Sequence, residues 1–394
     1  MFRKTMLILI ALSLLATPAA LAQDSDNPTI AIMRFGRTPI NEPTRLAILD
    51  VLQAYQFISA EERALLNDEQ DLDGEHINII WGDGGMDFPT ANLMVEEALD
   101  RGADILLPLM TPVAQIAANL TADMEQPPLV LFSIVSAPYT AGIAEAPCLK
   151  PAHIGGTQAQ VPFEQIVSLL HLQQPDLTLV GTLVNAAEPN SVAGLEQIRK
   201  HSEALGITVE TASVANLSDV PVAAETLMDK GIEALIFSTS ALEIAGLPAI
   251  LEVAAVYSVP VIAPVVGQTY RGAHVGAGFN DFYREGVIVG RMLAAQLEGT
   301  LDVSRLAINA IPSLGVSLNI DVATEAGISF SEELLSVADF VIENGVSTQD
   351  RTPPSLPDMT LEERRAADLE FLAGLECTPE MIAEQQAALD AADE

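Results

Sequence analysis

The chain has 394 residues, 49% of them apolar, with 18 Lys+Arg against 54 Asp+Glu and a formal net charge of −36. That length and apolar content call for more than one core and exclude a disordered chain. The charge excludes nucleic acid and anionic lipid headgroups as partners, and two cysteines exclude a disulfide scaffold or a four-cysteine metal site.

Arg3 and Lys4 precede an apolar run from Met6 to Ala16, and Ala20-Leu21-Ala22 follows before Gln23. A charged start, a short apolar stretch and a small-residue cleavage site make a secretory leader over residues 1–22, cleaved after Ala22. The run is shorter than the roughly 20 residues of a spanning helix. No later stretch spans either, because Ile244–Val266 is broken by Glu252, Pro260 and Pro264. The mature chain is therefore expected to be exported, without a membrane span, and to carry a charge of −38 once Arg3 and Lys4 are gone. In an oxidising compartment Cys148 and Cys377 are two buried thiols or one disulfide, and their even number favours the disulfide.

Short aliphatic or β-branched runs then recur at Thr29–Met33, Ile77–Trp81, Ile105–Leu109, Leu129–Val135, Leu177–Leu183, Thr208–Thr211, Ala234–Ser238 and Val259–Ala263. Stretches with helical spacing of apolar positions separate them, such as Leu46, Leu49 and Leu52, or Leu195, Ile198 and Leu205. Near-continuous apolar strands alternating with amphipathic helices predict an α/β protein whose parallel sheets are flanked by helices. The rhythm pauses from Ser136 to Gly156, a loop-rich stretch read as a crossing between two lobes, and restarts near Leu177. A helix over Phe282–Leu297 and a strand-like run at Leu314–Ile320 follow. Residues 346–394, with Pro353-Pro354, Pro357 and a charge of −9, read as a linker with short acidic helices at Leu361–Leu375 and Pro379–Ala392, a solvated appendage.

The catalytic inventory is nearly empty. Five histidines have no metal-ligand spacing, and neither a nucleophile elbow nor a phosphate-cradling glycine-lysine loop is present. Gly276-Ala-Gly278 has Asp281 where a dinucleotide turn wants its third glycine, so no cofactor and no metal is expected. The strand ends are better furnished. Ligands of α/β sheets sit beyond the carboxyl ends of the strands, which here offer Phe35, Trp81, Thr111, Ser133 and Ser136 in the first half. The second half offers Asn185, Glu188, Asn190, Ser191, Thr239, Ser240, Gln268 and Tyr270. Thr111 and Ser191 open helices and would act as helix-terminus donors. Asn185 and Glu188 would be polar contacts, and Phe35, Trp81 or Tyr270 apolar walls.

Three motifs in order, Thr111-Pro-Val-Ala-Gln-Ile-Ala117, Glu188-Pro-Asn-Ser-Val192 and Tyr270-Arg-Gly-Ala273 with Gly286 and Gly290-Arg291, are followed by a closing element at Asn319–Ile328. With these the chain resembles the exported substrate-binding proteins of ABC transporters, in the branch that includes tryptophan- and tyrosine-binding members. The resemblance covers about residues 28–345. It implies a two-lobe periplasmic binding protein of type I whose hinge has three crossovers. Lobe 1 would hold residues 28–138 and 276–310, and lobe 2 residues 139–275 and 311–345. It implies a periplasmic protein, not an enzyme, that closes on a small molecule, an amino acid or related carboxylate, and hands it to the transmembrane subunits of an ABC permease. Two positions depart from the family pattern: Ser240-Ala241 stands where aromatic-amino-acid binders usually have Asp-Asn, and Ala137 where an acid commonly precedes the crossover proline. An acid there would hold a ligand ammonium with about 1.5–3 kcal/mol. The other classes are an exported sensor module that presents its ligand to a receptor, and a periplasmic enzyme, for which Glu188 is the one candidate acid.

Overall fold

The structure, a computed structural model, describes residues 27–279, 281–312, 314–349 and 353–392. The expected leader at 1–22 lies outside the described residues. The first part runs β1 (Thr29–Arg34), α1 (Asn41–Ala54), α2 (Ala60–Asn67), β2 (Leu72–Asp73), β3 (Asn78–Asp83), α3 (Phe88–Asp100), β4 (Ile105–Leu109), α4 (Thr111–Thr121), β5 (Leu129–Val135) and β6 (Ile154–Gln160). The second runs α5 (Phe163–Gln173), β7 (Leu179–Val184), α6 (Pro189–Ala204), β8 (Thr208–Ser213), α7 (Val220–Asp229), β9 (Ala234–Ile236), α8 (Ala241–Tyr257), β10 (Val261–Val265) and β11 (Val275–Phe279). The chain ends with α9 (Phe282–Glu298), β12 (Asn309–Pro312), β13 (Gly315–Asn319), α10 (Ile320–Glu325), α11 (Glu332–Ser336), β14 (Phe340–Glu343), β15 (Val346–Ser347), α12 (Leu361–Ala373) and α13 (Pro379–Ala392).

The strands form two sheets, in the orders β12-β6-β5-β4-β1-β3-β2 and β15-β14-β13-β11-β10-β9-β7-β8. Most neighbours are parallel; β2 with β3, β11 with β13 and β14 with β15 are antiparallel. The parallel strands are apolar on both faces, as burial beneath helices on each side requires: Ile105–Leu109 and Val261–Val265 have every residue buried. One core surrounds Ile32, Leu107 and Phe132 of the first sheet. Two further cores cover the faces of the second sheet, around Leu235 and Phe237 and around Ile236 and Ile262. This is a two-lobe α/β architecture.

The chain changes sheet elsewhere than at residue 138. Ile154–Gln160 is a strand of the first sheet, paired with β5 and β12, so the first crossing lies at Gln160–Phe163. Its sequence, Ile-Gly-Gly-Thr-Gln-Ala-Gln, lacks the aliphatic run that marks the other strands, yet it is buried from Ile154 to Thr157. Val275–Phe279 in turn belongs to the second sheet, against β10 and β13, so the return lies between Phe279 and Phe282. The third crossing joins Pro312 to Gly315.

The tail is more than a solvated appendage. α12 packs on α9: Leu372 is fully buried, Arg291 Nε lies 2.8 Å from Asp368 Oδ1, and the Arg291 guanidinium sits over the Phe371 ring. Asp368 also accepts from the Tyr55 hydroxyl at 2.9 Å. Having left the second sheet at β15, the chain has returned to the first lobe, a fourth passage beyond the three implied by the resemblance. α13 alone matches the solvated expectation, with no buried residue.

Cys148 and Cys377 form a disulfide with Cα atoms 5.7 Å apart, across a separation of 229 residues. It ties the end of α12 to the loop between β5 and β6. Closing so long a loop in the unfolded chain is worth about 5 kcal/mol at most. Urea denaturation should therefore show the double variant Cys148→Ser, Cys377→Ser less stable than the oxidised protein by roughly 2–5 kcal/mol. Reducing agent should shift the midpoint of the wild type and leave that of the variant unmoved.

Candidate functional site

The carboxyl ends of β4, β5 and β6 face those of β9 and β10 across the junction. Between them lies an inner chamber of about 40 Å³. Its first-lobe wall includes Met110, Thr111, Ile134 and Ala159, and its second-lobe wall includes Asn190, Thr239, Pro264, Val265 and Phe279. A wider vestibule of about 270 Å³ adjoins it. Its walls are polar, with Ser136, Thr140, Gln158, Gln160 and Gln197 beside Tyr139, Phe163 and Ala137. Ser136, Val161, Asn190 and Thr239 line both spaces. No Asp, Glu, Lys, Arg or His is among the described residues that line either.

Backbone strain concentrates here. Met110 (φ 80°), Ile134 (φ 57°) and Thr239 (φ 79°) all have positive φ without being glycine, and all three line the chamber. Such a backbone costs about 1–3 kcal/mol at each residue and persists only where its surroundings hold it. Their partners are identifiable. The Ile134 N–H donates to Glu285 Oε1 at 2.8 Å, across a break in the pairing of β5 with β6. Thr239 is clamped to Asn190 in both directions: its Oγ1 donates to the Asn190 carbonyl at 3.0 Å, and Asn190 Nδ2 donates to the Thr239 carbonyl at 2.7 Å. Met110 N–H donates to the Ser133 carbonyl at 3.0 Å.

Two buried glutamates hold the second-lobe wall. Glu188 Oε1 accepts from Asn185 Nδ2 (2.9 Å) and Ser240 Oγ (2.8 Å), and Oε2 accepts from the Ala241 N–H (2.8 Å) and Asn190 Nδ2 (3.4 Å). This carboxylate joins the start of α6 to the start of α8, where the first-turn N–H groups and the helix dipole favour an anion. Glu243 Oε2 accepts from the Ser238 N–H and hydroxyl and from the Ser240 N–H. Ser191 Oγ lies 2.8 Å from Ser238 Oγ and accepts from the Asn185 N–H at 3.0 Å. The start of α6 can come so near β9 only because Gly194 is bare: a Cβ there would stand 2.0 Å from the Ser238 carbonyl oxygen.

The strand-end residues therefore divide into three groups. Thr111, Ser136, Asn190 and Thr239 line the chamber. Asn185, Glu188, Ser191 and Ser240 stand one layer behind and support that wall. The remaining five line neither space. Phe35 is buried against Phe88, ring centroids 4.9 Å apart. Trp81 on β3 lies two strands from β4, beneath the Arg45 guanidinium. Ser133 faces Thr157, 3.4 Å away. Gln268 accepts from Arg271. Tyr270 stacks on Phe340 and contacts Ser347 and Gln349 through its hydroxyl. The carboxyl-edge rule finds the right edge of a sheet but not which half of that edge faces the other lobe. Of the vestibule glutamines, Gln158 and Gln160 follow the stretch read as loop, where only their place at the first crossing could have pointed to them, and Gln197 lies on α6.

Burial pushes the carboxyl of Glu243 up to about 8, against the lowering effect of its hydrogen bonds from Ser238 and Ser240. Burial also raises Glu285 to about 7, opposed by Thr157 and the Ile134 N–H. In the unfolded chain both would ionise near the ordinary value of 4.5. Their folded values being raised, they contribute stability that is fully present below about pH 4.5 and is lost as pH rises through about 7 and 8. The melting temperature should fall between pH 5 and 8, and Glu285→Gln or Glu243→Gln should flatten that slope. An unchanged slope in both variants would remove these groups as its cause.

The family profile described as ABC transporter substrate binding protein matches residues 69–342. A tyrosine-binding protein of Clostridioides difficile is 24% identical over 253 residues, 62% of this chain and 72% of that protein. The fold is shared with a domain from Streptococcus pneumonia solved in complex with L-Trp, at a TM-score of 0.70 and 20% identity over 80% of this chain and 100% of that one. A Vibrio cholerae domain superposes equally well, with a TM-score of 0.70 and 20% identity over 80% and 99%. The first of these is named for binding tyrosine and the second was solved with L-Trp, and no described helix is long and apolar enough to cross a membrane. The chain belongs to the ABC transporter substrate-binding protein family, with the two-lobe fold of type I periplasmic binding proteins.

Proposed function

We propose that this protein is the exported solute-binding component of an ABC importer, periplasmic once its leader is cleaved after Ala22, which closes on a small molecule and delivers it to the permease. The observation that carries this reading is the neutral chamber whose walls come from both sheets, at the point where three chain crossings allow a hinge. A ligand seated there touches both lobes and favours the closed form by its differential affinity alone. Shifting a chain from about 1% to about 99% closed takes about 5.5 kcal/mol. Burial of about 220 Å² of apolar surface would supply it at about 25 cal/mol per Å². The names of the similar proteins, one tyrosine-binding and one solved with L-Trp, support an amino acid or related small carboxylate as cargo. Lobe 1 is then best taken as about 27–160 with 282–312 and the tail, and lobe 2 as about 161–279 with 314–349.

Thr111, Asn190 and Thr239 are the proposed contacts among the strand-end residues. Calorimetry of the mature chain against amino acids and small carboxylates should find a ligand that raises the melting temperature and reduces the radius of gyration in solution scattering. A panel that leaves both unchanged would count against the transport reading. Thr111→Val preserves shape and removes a hydroxyl from the chamber. It should weaken that ligand by about 5- to 50-fold, as expected for a lost hydrogen bond, with unfolding free energy changed by less than about 1 kcal/mol.

A further inference from the structure

The loop between β5 and β6, residues 136–153, has neither helix nor strand. It nevertheless forms the outer wall of the vestibule through Ser136, Ala137, Tyr139 and Thr140. So long a loop keeps one shape only where other segments tie it down. The first-lobe core holds its middle, where Ile143 is 1% exposed and Gln115 Nε2 donates to the Ala141 carbonyl at 2.9 Å. The rest of its anchorage comes from later in the chain. The Ile308 N–H donates to the Pro147 carbonyl at 2.9 Å, and Lys150 Nζ donates to the Ser304 carbonyl at 2.7 Å. Cys148 is bonded to Cys377, and its N–H donates to Gln385 Oε1 of α13 at 2.8 Å. Cys377 is itself fixed, because its N–H donates to the Arg305 carbonyl at 3.0 Å and the neighbouring Glu376 bridges Leu306. Both Cys377 and Gln385 lie beyond residue 342, where the match to the family profile ends. The same loop closes a groove of about 920 Å³ against α13, with Ile143, Leu149 and Lys150 opposite Gln386, Leu389 and Asp390. Tyr139 lines both this groove and the vestibule, so one side chain stands between tail and cleft. Cys148 lines the groove and is half-buried, as is Cys377, which puts the disulfide within reach of a small thiol.

Resting on the solute-binding reading, we propose that the tail is a redox-sensitive brace for the vestibule. The Cys148–Cys377 disulfide and the Gln385 contact hold the loop in the shape that presents Ser136, Tyr139 and Thr140 to the cleft, and both act as positioning groups. A dithiol breaks the brace by exchange: its thiolate attacks one sulfur, and its second thiol then displaces that sulfur from the mixed disulfide. The S–S bond of the protein is replaced by one in the dithiol, and two electrons and two protons end on Cys148 and Cys377 as thiols. The tail thus acts on affinity from outside the cleft, through the fraction of molecules whose wall is in place. If that fraction falls to about a tenth, the apparent affinity falls about tenfold.

The test compares the full mature chain, oxidised and after dithiothreitol, by hydrogen exchange without any ligand. The amides of Ala141, Gly142 and Ile143, which donate to the carbonyls of Ala137, Tyr139 and Pro138, should exchange about tenfold or more faster after reduction. The amides of β9 and β10 in the second lobe should keep their rates. Unchanged exchange in the loop, or an equal gain in both lobes from a general loss of stability, overturns the brace. Gln385→Ala keeps the disulfide and the fold, and should quicken the same three amides by a smaller factor, about threefold. No change in that variant would remove Gln385 from the brace. Calorimetry with L-tyrosine and L-tryptophan as probes should then show binding about fivefold or more tighter to the oxidised than to the reduced chain. The double variant Cys148→Ser, Cys377→Ser should bind as the reduced chain does and ignore the reductant. Equal affinity of the oxidised and reduced wild type, or a reductant effect that persists in the double variant, overturns the link to cargo. Failure of both probes to bind the oxidised chain would bring down the solute-binding reading and the claim on affinity together, while exchange would still decide the brace.

Discussion

The junction between the lobes depends on carboxyl groups buried without cations. Glu188, Glu243 and Glu285 are each fully buried, and among the described residues none is in an ion pair. A buried carboxyl group is tolerable when hydrogen-bonded, and here both oxygens of Glu188 and one each of Glu243 and Glu285 accept from backbone N–H groups and neutral side chains: Ala241, Ser238, Ser240 and Ile134 through their main chain, and Asn185 and Thr157 through their side chains. Helix starts are the cheapest source of such donors, because their first N–H groups have no partner within the helix. The starts of α6 and α8 are thereby fixed to each other, and β5 is fixed to α9.

That fixation explains how the strained wall survives. Positive φ at a β-branched residue is rare, yet Ile134 and Thr239 both have it, and both are held by the buried network. Ile134 is held through Glu285, on a helix that packs under the first sheet, and Thr239 through Asn190, which Glu188 holds in turn. The strain and its support belong to the same lobe in each case. On the proposed hinge reading each wall moves as a unit, and motion falls to the crossings at Gln160–Phe163, Phe279–Phe282 and Pro312–Gly315 and to the passage from β15 back to α12. A hinge that moves two finished walls needs no rearrangement inside either lobe.

Much of this was legible in the sequence. Apolar strand runs announced both sheets, because strands covered on both faces can tolerate little else. Ile154–Gln160 escaped notice for a physical reason. Gly156, at φ 143°, sits with its Cα beside the Phe132 carbonyl, where a Cβ would come within 2.2 Å, so the position wants glycine and breaks the aliphatic pattern. Missing that strand moved the first crossing to residue 138 and hid Gln158 and Gln160 from the site. Trp81 misled in the opposite direction. A lone tryptophan at a strand end suggests a stacking wall, but sheet order decides which strand ends meet the other lobe, and sheet order is not written in local pattern. The motif Glu188-Pro-Asn-Ser was legible as a site, although only the coordinates divide it into Asn190 at the wall and Glu188 and Ser191 behind.

The distribution of charge gives the opening imbalance its structural meaning. With 18 cations for 54 acids, an ion-pair scaffold cannot be general, and the pairs that do form cluster in the first lobe and its tail. Arg34 bridges Glu69 and Asp83, Arg45 and Arg63 pair with Glu42 and Asp50, and Arg291 and Arg365 hold α12 and α9 together through Asp368 and Glu298. The second lobe has one such pair among the described residues, the exposed Lys230 and Glu210. None of these cations lines the cleft, which is left to hydroxyls, amides and apolar walls. Behind it, one layer back, the Glu188 carboxyl is hydrogen-bonded to the Asn190 amide. A carboxylate at the surface of the chamber would demand a cationic ligand or stand unpaired in a dry site at a cost of several kcal/mol. Set behind Asn190 and held by donors from α6 and α8, the Glu188 carboxyl instead fixes the neutral wall in place.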